Sequence, residues 1–592
     1  MDKLSKMQED EMYEFLINAL HMQEYSEDEA FDNETFYTFW NILSEKYFRY
    51  AKGMTIEVSD KVSLASFLLD ILNIQDNNNT EVYEEEDLKD YDINKALEAD
   101  GILQGNRSFR ILWDILKNIP KITFVTEEYY IDRVYRDSYY TYYSCKHFEY
   151  SRYCKRLFLF EGNLETEYDN EILDIAEENL QKAFIGCIVI RPLETGKIGR
   201  SLLNPYYFTS PENSFIRKAT YNVTMFGKRL YVDAFPYSMQ DEETTSCAEI
   251  TILNLLDYFS KKYAEYKYFL PSDIIDIAIK NGYERRLPTK GLDYLLISKV
   301  FMEAGFYPVL YNEDKLEDSS KFKRILHYYI ESGIPTAIGL EINKGAKHSI
   351  VCVGHGKVDK NQVKKQYSIP DPWNEKHHIW LIDSADMVKD YIVMDDNERP
   401  YLEYTWKEEK NRNLLGKWKP EYLMVPLYRR MFLEAADAYD ICTSILADQE
   451  MGIQKHMKEV GTIDNPIVIR LFMASSRGFK KYRIKHLGKD NYDVRERYIN
   501  TPFPRFVWVC ELYLKEDYPD CCIGEIIVDA TAAPNVKIGS VILLHYPGIV
   551  FTQLPDQKDD VQAPVFSKLQ KWNKFQGYKE NLDCPVKEYS RL

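Results

Sequence analysis

The stretch YSMQDEETTSCAEITILNLLDYF, residues 237–259, constrains the fold of this chain most, because a polar turn runs directly into a long segment with periodic apolar residues. Thr244, Thr245 and Ser246 precede that segment, and each is a residue type favoured at a helix N-cap. The apolar residues that share one helical face are Ala248, Ile252, Leu255, Leu256 and Phe259. The pattern predicts a helix with Cys247 in its first turn.

Cys247 would thus occupy a position that activates a thiol. The dipole and the unpaired N–H groups of a helix N-terminus favour the thiolate, which is the nucleophilic form of cysteine. A free cysteine is more often a small buried core residue. The interpretation of Cys247 therefore depends on whether a base and a group that orients the base accompany it.

A candidate base lies downstream in GIPTAIGLEINKGAKHSIVCVGHG, residues 333–356. This segment predicts two strands joined by a glycine-containing turn, with His348 opening the second strand. Cys352 on the same strand is predicted to be core. His355 is the rival base, but Gly354 and Gly356 on either side predict that it lies in a turn after the strand.

A candidate orienting group follows the buried strand in DYIVMDDNERPY, residues 390–401. Asp395 and Asp396 both come directly after the strand, and a carboxylate there can fix the tautomer of a nearby imidazole. Both faces of the strand are apolar, so periodicity does not choose between the two. Gln240, before the predicted helix, could donate to an oxyanion together with the backbone N–H of Cys247.

The segments FPYSMQDEETTSCAEITIL, PTKGLDYLLISKVFMEAGFYPVLY, HSIVCVGHG and YIVMDDNERPY resemble a papain-like cysteine peptidase. The most similar type is the bacteriocin-processing peptidases that cut after double-glycine leaders, and the resemblance covers roughly residues 230–405. It implies a papain-like fold with Cys247 as nucleophile, His348 as base and Gln240 in the oxyanion hole. It places the orienting carboxylate immediately after the strand, which selects Asp395.

The expected function is therefore that of a bacterial, cytoplasmic thiol hydrolase that cleaves a peptide or isopeptide bond through a Cys-His-Asp triad. Two alternatives stay open. Transglutaminases and arylamine acetyltransferases use a similar triad for acyl transfer to an amine, and a papain-like scaffold can also serve binding without catalysis. The expected partner is a peptide or protein substrate, and the sequence does not indicate an oligomeric state. No Walker-type loop, GxGxxG or HExxH motif occurs, so no cofactor is expected.

The predicted fold class is α+β, with several domains, because 592 residues exceed what one hydrophobic core usually organises. Residues 1–120 predict a helical N-terminal region with an acidic linker, and residues 121–235 predict a β-rich segment. Residues 236–410 predict the papain-like catalytic domain. Residues 425–592 predict a C-terminal α/β domain.

Composition excludes some partners. The net charge of −19 argues against nucleic acid, because phosphate binding relies on Lys and Arg. No stretch approaches the roughly 20 apolar residues that span a bilayer, so no membrane association is expected.

Three further segments contain residue types that can form binding sites. CKHFEYSRYC offers Cys145, His147 and Cys154, but zinc spacing is not met and a fourth ligand is missing. The basic stretch 477–489 predicts a solvated strand face rather than a nucleic-acid surface. The tyrosine-rich stretch 127–144 predicts a half-exposed pleated surface.

Overall fold

We describe the protein from a computed structural model. The residues that the structure describes are 56–58, 61–74, 102–162, 164, 175–282, 287–289, 291–312, 319–343, 346–361, 363, 367–370, 378–409, 412–448, 451–453, 456–457, 466–487, 492–533, 539–554, 563–569 and 572–587. The helices predicted before residue 56 and the acidic linker at 81–100 lie outside the described residues.

The strands of the first half are β1 Ile56–Val58, β2 Ile122–Tyr130, β3 Cys154–Glu161, β4 Phe184–Ile190, β5 Leu202–Leu203, β6 Phe215–Ile216, β7 Ala219–Met225 and β8 Lys228–Ala234. Next come β9 Phe306–Asn312, β10 Thr336–Asn343, β11 Ala346–His355, β12 Tyr367–Pro370, β13 His378–Asp383, β14 Asp390–Met394, β15 Leu402–Glu409, β16 Arg412–Leu415 and β17 Lys419–Tyr428. The last are β18 Ile467–Ser475, β19 Phe506–Leu514, β20 Cys521–Asp529, β21 Val541–Tyr546, β22 Ile549–Leu554, β23 Ala563–Lys568 and β24 Phe575–Gln576.

The α-helices are α1 Lys61–Ile71, α2 Ile102–Gly105, α3 Arg107–Leu116, α4 Arg133–Thr141, α5 Glu177–Ala183, α6 Cys247–Lys262, α7 Pro271–Lys280, α8 Tyr294–Glu303, α9 Ser319–Glu331, α10 Ala435–Leu446, α11 Ser476–His486 and α12 Tyr492–Asn500. The predicted mixture of helices and strands is confirmed. Within the described residues, no helix combines the length and the apolar character needed to cross a membrane.

The described strands form three large sheets and a hairpin. The first sheet has the order β1-β2-β3-β4-β5, and the second has the order β16-β15-β14-β11-β10-β17-β9 with β6 added to β11. The third sheet runs β12-β13-β18-β19-β20-β21-β22-β23, with β24 beside β20. β7 and β8 form a hairpin, which turns at Phe226 and Gly227, both with positive φ.

The sheets do not follow the predicted domain boundaries. Strand β17 lies beyond residue 410 and yet belongs to the second sheet, beside β10. Strands β12 and β13 lie before that boundary and yet belong to the third sheet, where β13 pairs with β18 in parallel. One apolar core also includes residues of α1, α3, the first sheet and α6. The predicted N-terminal, β-rich and catalytic segments therefore share a core.

Helix α6 lies inside this shared core. Every residue from Ala248 to Phe259 is buried, although the sequence pattern predicts only one apolar face. The difference arises because the helix is covered from two directions: β10 and β11 of the second sheet pack on it, and so does β7 of the hairpin. A helix surrounded in this way is a rigid support for its own first residue, Cys247.

Three local predictions are wrong. The tyrosine-rich stretch leaves the sheet after Tyr130 and forms α4, because Asp132 caps that helix by accepting a hydrogen bond from Tyr135 N at 2.8 Å. The basic stretch forms α11, which Ser475 caps. His355 is the last residue of β11 rather than part of a turn.

A buried ionic network joins helices α9 and α11 to the third sheet. Arg470 on β18 binds Glu331 at the end of α9 at 2.6 Å and Glu511 on β19 at 3.0 Å. Arg483 on α11 binds Glu511 at 2.7 Å and Glu525 at 2.6 Å. All five side chains are buried, so each charge depends on its partners for compensation.

Arg470→Ala is expected to lower the free energy of unfolding by about 3–5 kcal/mol, because it leaves the buried Glu331 carboxylate without its arginine partner. Denaturant unfolding followed by circular dichroism measures the loss. The control is Lys579→Ala, which removes an exposed ion pair with Asp520 and should cost about 1 kcal/mol or less. Equal losses in the two variants would contradict the compensating role of Arg470.

Candidate active site

The site begins at the N-terminus of α6. The structure selects Ser246 as the N-cap, with Glu249 accepting a hydrogen bond from Ser246 N at 3.1 Å in a capping box. Thr244 and Thr245 instead direct their backbone N–H groups to Asp241 Oδ1, at 2.8 and 2.7 Å. The loop before Cys247 is thereby held in place, and Cys247 is the first residue of the helix, partly exposed.

His348 and Asp395 meet through the sheet. Strands β11 and β14 are antiparallel neighbours, so the start of β11 lies beside the end of β14. His348 Nε2 is 2.7 Å from Asp395 Oδ1, and both side chains are buried. The thiol of Cys247 lies close enough to His348 to influence the pKa of the imidazole. Three separate elements therefore bring the predicted nucleophile, base and orienting carboxylate together.

The surroundings favour a charged imidazole. Burial alone would lower the pKa of His348, but the hydrogen bond to Asp395, the neighbouring Cys247 thiol and the charges of Asp395 and Asp396 raise it to about 11. Burial alone would raise the pKa of Asp395, but the hydrogen bond and charge of His348 lower it. The two groups thus stabilise each other as an ion pair.

Two residues that the sequence did not indicate complete this arrangement. Tyr404 on β15 donates its hydroxyl to Asp395 Oδ2 at 2.7 Å. Asn397 donates its backbone N–H to Asp395 Oδ1 at 2.9 Å. The sequence does contain a signal for Asn397, because it lies only two residues after Asp395 and residues in one tight turn are close in space. Tyr404 carries no comparable signal, because only the pairing of β14 with β15 brings it close.

The side chain of Asn397 connects the imidazole to other parts of the site. Its Nδ2 lies 3.3 Å from His348 Nε2 and 3.4 Å from Nδ1. Its Oδ1 accepts hydrogen bonds from Arg107 Nη1 at 2.8 Å and from Gln240 Nε2 at 3.4 Å. Gln240 therefore lies at the site, held against the turn that contains Asp395, and its oxyanion role stays a prediction.

The Asp396 carboxyl group lies at the same site, beside the imidazole of His348. Its Oδ1 is 3.6 Å from His348 Nε2, which is too far for a hydrogen bond. Among the described groups neither of its carboxyl oxygens has a hydrogen-bond partner. Burial raises the pKa of Asp396 to about 7.

Two tyrosine side chains, Tyr422 and Tyr294, pack together near the nucleophile. Tyr422 on β17 is close enough for the charge of Cys247 to act on it, and burial raises the pKa of Tyr422 to about 12. The ring of Tyr294 lies 6.0 Å from that of Tyr422. Tyr422 lies directly over Gly339, where a Cβ would be only 2.0 Å from its ring. Glycine at this position is what lets the ring lie there.

The other candidate residues from the sequence, His355, Cys352, Cys145 and Cys154, are not among the contacts of His348 and Asp395 described above. His355 uses Nε2 to contact Glu331 at 3.0 Å and Nδ1 to contact Gly356 O at 2.8 Å. Cys352 is fully buried, as predicted. Cys154 is buried in β3, whereas Cys145 is exposed.

Among the described residues, one group of side chains has the donor atoms and spacing that a metal ion could use: His348, Asp395 and Asp396, with these atoms within 4.8 Å of one another. Two ligands of one tetrahedral zinc ion would be about 3.4 Å apart, given bond lengths of about 2.0–2.1 Å. The 2.7 Å separation of His348 and Asp395 is instead that of a charge-assisted hydrogen bond.

Comparisons of this chain with protein-family models, curated proteins and solved structures give no match. We therefore infer its function from the geometry of the site.

Proposed function

We propose that this protein is a papain-like cysteine peptidase that hydrolyses a peptide or isopeptide bond. The observation that carries the proposal is the buried 2.7 Å contact of His348 with Asp395 beside a cysteine at a helix N-terminus. This set supplies a nucleophile, a base and a group that orients the base. The order of elements along the chain also supports the proposal. The helix with the nucleophile comes first, then the strand that contains the histidine, then the strand that the aspartate follows.

In the first step the Cys247 thiolate attacks the carbonyl carbon of the scissile bond. Negative charge develops on the carbonyl oxygen, and the backbone N–H of Cys247 and the amide of Gln240 stabilise it. His348, held by Asp395, donates its proton to the leaving nitrogen. The C–N bond breaks, the amine product leaves, and the acyl group stays on Cys247 as a thioester.

In the second step water replaces the amine. His348, now neutral, accepts a proton from water as the water oxygen attacks the thioester carbonyl. The C–S bond breaks, releasing the acid product and restoring the thiolate beside the imidazolium. Asp395 keeps the ring oriented through both steps.

Covalent labelling tests the proposal. The full-length protein is treated at pH 6 with iodoacetamide or a peptide vinyl sulfone, and the adducts are mapped by mass spectrometry. At this pH an ordinary thiol is largely protonated and reacts slowly. In the proposed site Cys247 is a thiolate paired with the His348 imidazolium, so it should react much faster than the exposed Cys145, which serves as an internal control. Absence of an adduct on Cys247 in folded protein would overturn the enzyme proposal.

Incubation with a peptide library then separates hydrolysis from acyl transfer. A peptidase yields cleaved products with water alone. Product formation that requires an added amine, together with a labelled Cys247, would instead identify an acyltransferase.

A further inference from the structure

The second aspartate of the site has no explained role. Asp396 is a buried carboxyl group, its side chain only 3% exposed, and its Oδ1 lies 3.6 Å from His348 Nε2. Neither of its oxygens accepts a hydrogen bond from any described group. Burying a carboxylate without a hydrogen-bond partner is costly, so a residue in this state calls for an explanation beyond local folding.

Among the described residues, few charged groups face Asp396. His348 approaches it from β11, and Asp395 precedes it in the same turn. Arg107, the first residue of α3, acts on it from a partly exposed position. Tyr237 faces it from the segment before Gln240. The nearest group that can gain or lose a positive charge is therefore the imidazole of His348.

Resting on the proposed function, we propose that Asp396 acts on His348 through its charge and thereby controls how firmly the imidazole holds its catalytic proton. Asp396 is a positioning residue in this role, because it acts through the histidine, 3.6 Å from its Nε2. Asp395 orients the ring by a hydrogen bond, whereas Asp396 adds a second negative charge on the same side. The two adjacent aspartates thus divide orientation and charge between them.

The direction of the effect follows from the sign of the charge. Asp396 is neutral while it holds its proton, and His348 then senses one carboxylate. Because burial raises the pKa of Asp396 to about 7, the second carboxylate forms as the pH rises through neutrality. A negative charge at this distance favours the imidazolium. Above neutral pH, the thiolate–imidazolium pair is therefore held more tightly than Asp395 alone would hold it.

The test is a titration of His348 by NMR in full-length protein with labelled histidine, with His348→Gln used to assign the signal. Asp396→Asn should lower the pH at which His348 loses its proton by about 1–3 units, the usual effect of one opposite charge within about 4–6 Å. The alkaline fall of peptide cleavage should move down with it. Asp396→Ser provides a second neutral variant if Asp396→Asn does not fold.

The matched control is Glu398→Gln, which removes a carboxylate from the same turn. Glu398 pairs with Arg110 at 2.7 Å instead of approaching the imidazole, so the titration of His348 should stay at the wild-type position. An unchanged titration in both neutral Asp396 variants would overturn the inference. If the titration of His348 shifts but Cys247 is not labelled and the protein does not cleave peptides, the proposed function fails and the electrostatic coupling of Asp396 to His348 stands.

Discussion

Cys247→Ala is expected to reduce peptide cleavage by about 10⁴-fold or more, because the nucleophile of a triad cannot be replaced by the remaining groups. The fold should persist. Cys247 is the first residue of a helix that is buried from Ala248 to Phe259, and alanine is well accepted in a helix. The measurement is kcat/KM on a cleaved library peptide, with circular dichroism to verify folding. Cys145→Ala, at an exposed thiol, should behave like the wild type.

His348→Ala should cause a loss of similar size. The Cys247 thiol then has no base to accept its proton, and the thiolate has no imidazolium partner. The members of a triad act as a unit. The double variant of Cys247 and His348 should therefore be little worse than either single variant. Multiplied losses would show that the two residues do not serve one site, and would count against the proposed peptidase.

Asp395→Asn is expected to reduce cleavage by about 10³–10⁴-fold, in line with the loss of the orienting carboxylate in other triads. Asp395 accepts hydrogen bonds from His348, Tyr404 and the backbone of Asn397. An amide in its place loses the charge that stabilises the imidazolium, and its NH2 group must face one of these donors. The ring then loses its fixed tautomer and orientation.

Asp396→Asn provides the sharp comparison. It removes a carboxylate from the same turn, but one that makes no hydrogen bond to His348, so cleavage near pH 6 should fall far less than in Asp395→Asn. The measurement is the pH dependence of kcat/KM for both variants after folding has been verified. If Asp396→Asn were the more damaged variant, Asp396 rather than Asp395 would be the residue that orients the base.

Most secondary structure around the site is readable from the sequence, because local chemistry dominates there. Ser246 lies in a run of good N-cap residues, and the helix starts directly after it. The apolar runs of β11 and β14 form strands as their composition predicts. The tyrosine-rich stretch is the opposite case: tyrosine favours strands, but the cap at Asp132 and packing of its neighbours produce α4 instead.

The spacing of apolar residues in the sequence does not decide whether Asp395 or Asp396 orients His348. Alternation along β14 leaves both residues open, and the family resemblance selects Asp395. The structure places Asp395 at 2.7 Å from His348 Nε2 and Asp396 at 3.6 Å. The difference depends on how the chain leaves β14 and on which donors surround each carboxylate, and neither is encoded in the spacing of apolar residues.

The sequence by itself determined the mixture of helices and strands, the helix that begins at Cys247, the strand that contains His348, and the position of the two aspartates directly after a strand. These features follow from interactions between residues close together in the chain. Only the tertiary structure decided that Tyr404, Asn397 and Arg107 support the site and that Tyr422 lies over Gly339 near the nucleophile. It also decided that the Asp396 carboxyl group is buried without a hydrogen bond from any described residue. These contacts join residues from separate elements, so they exist only once sheet pairing and core packing have brought those elements together.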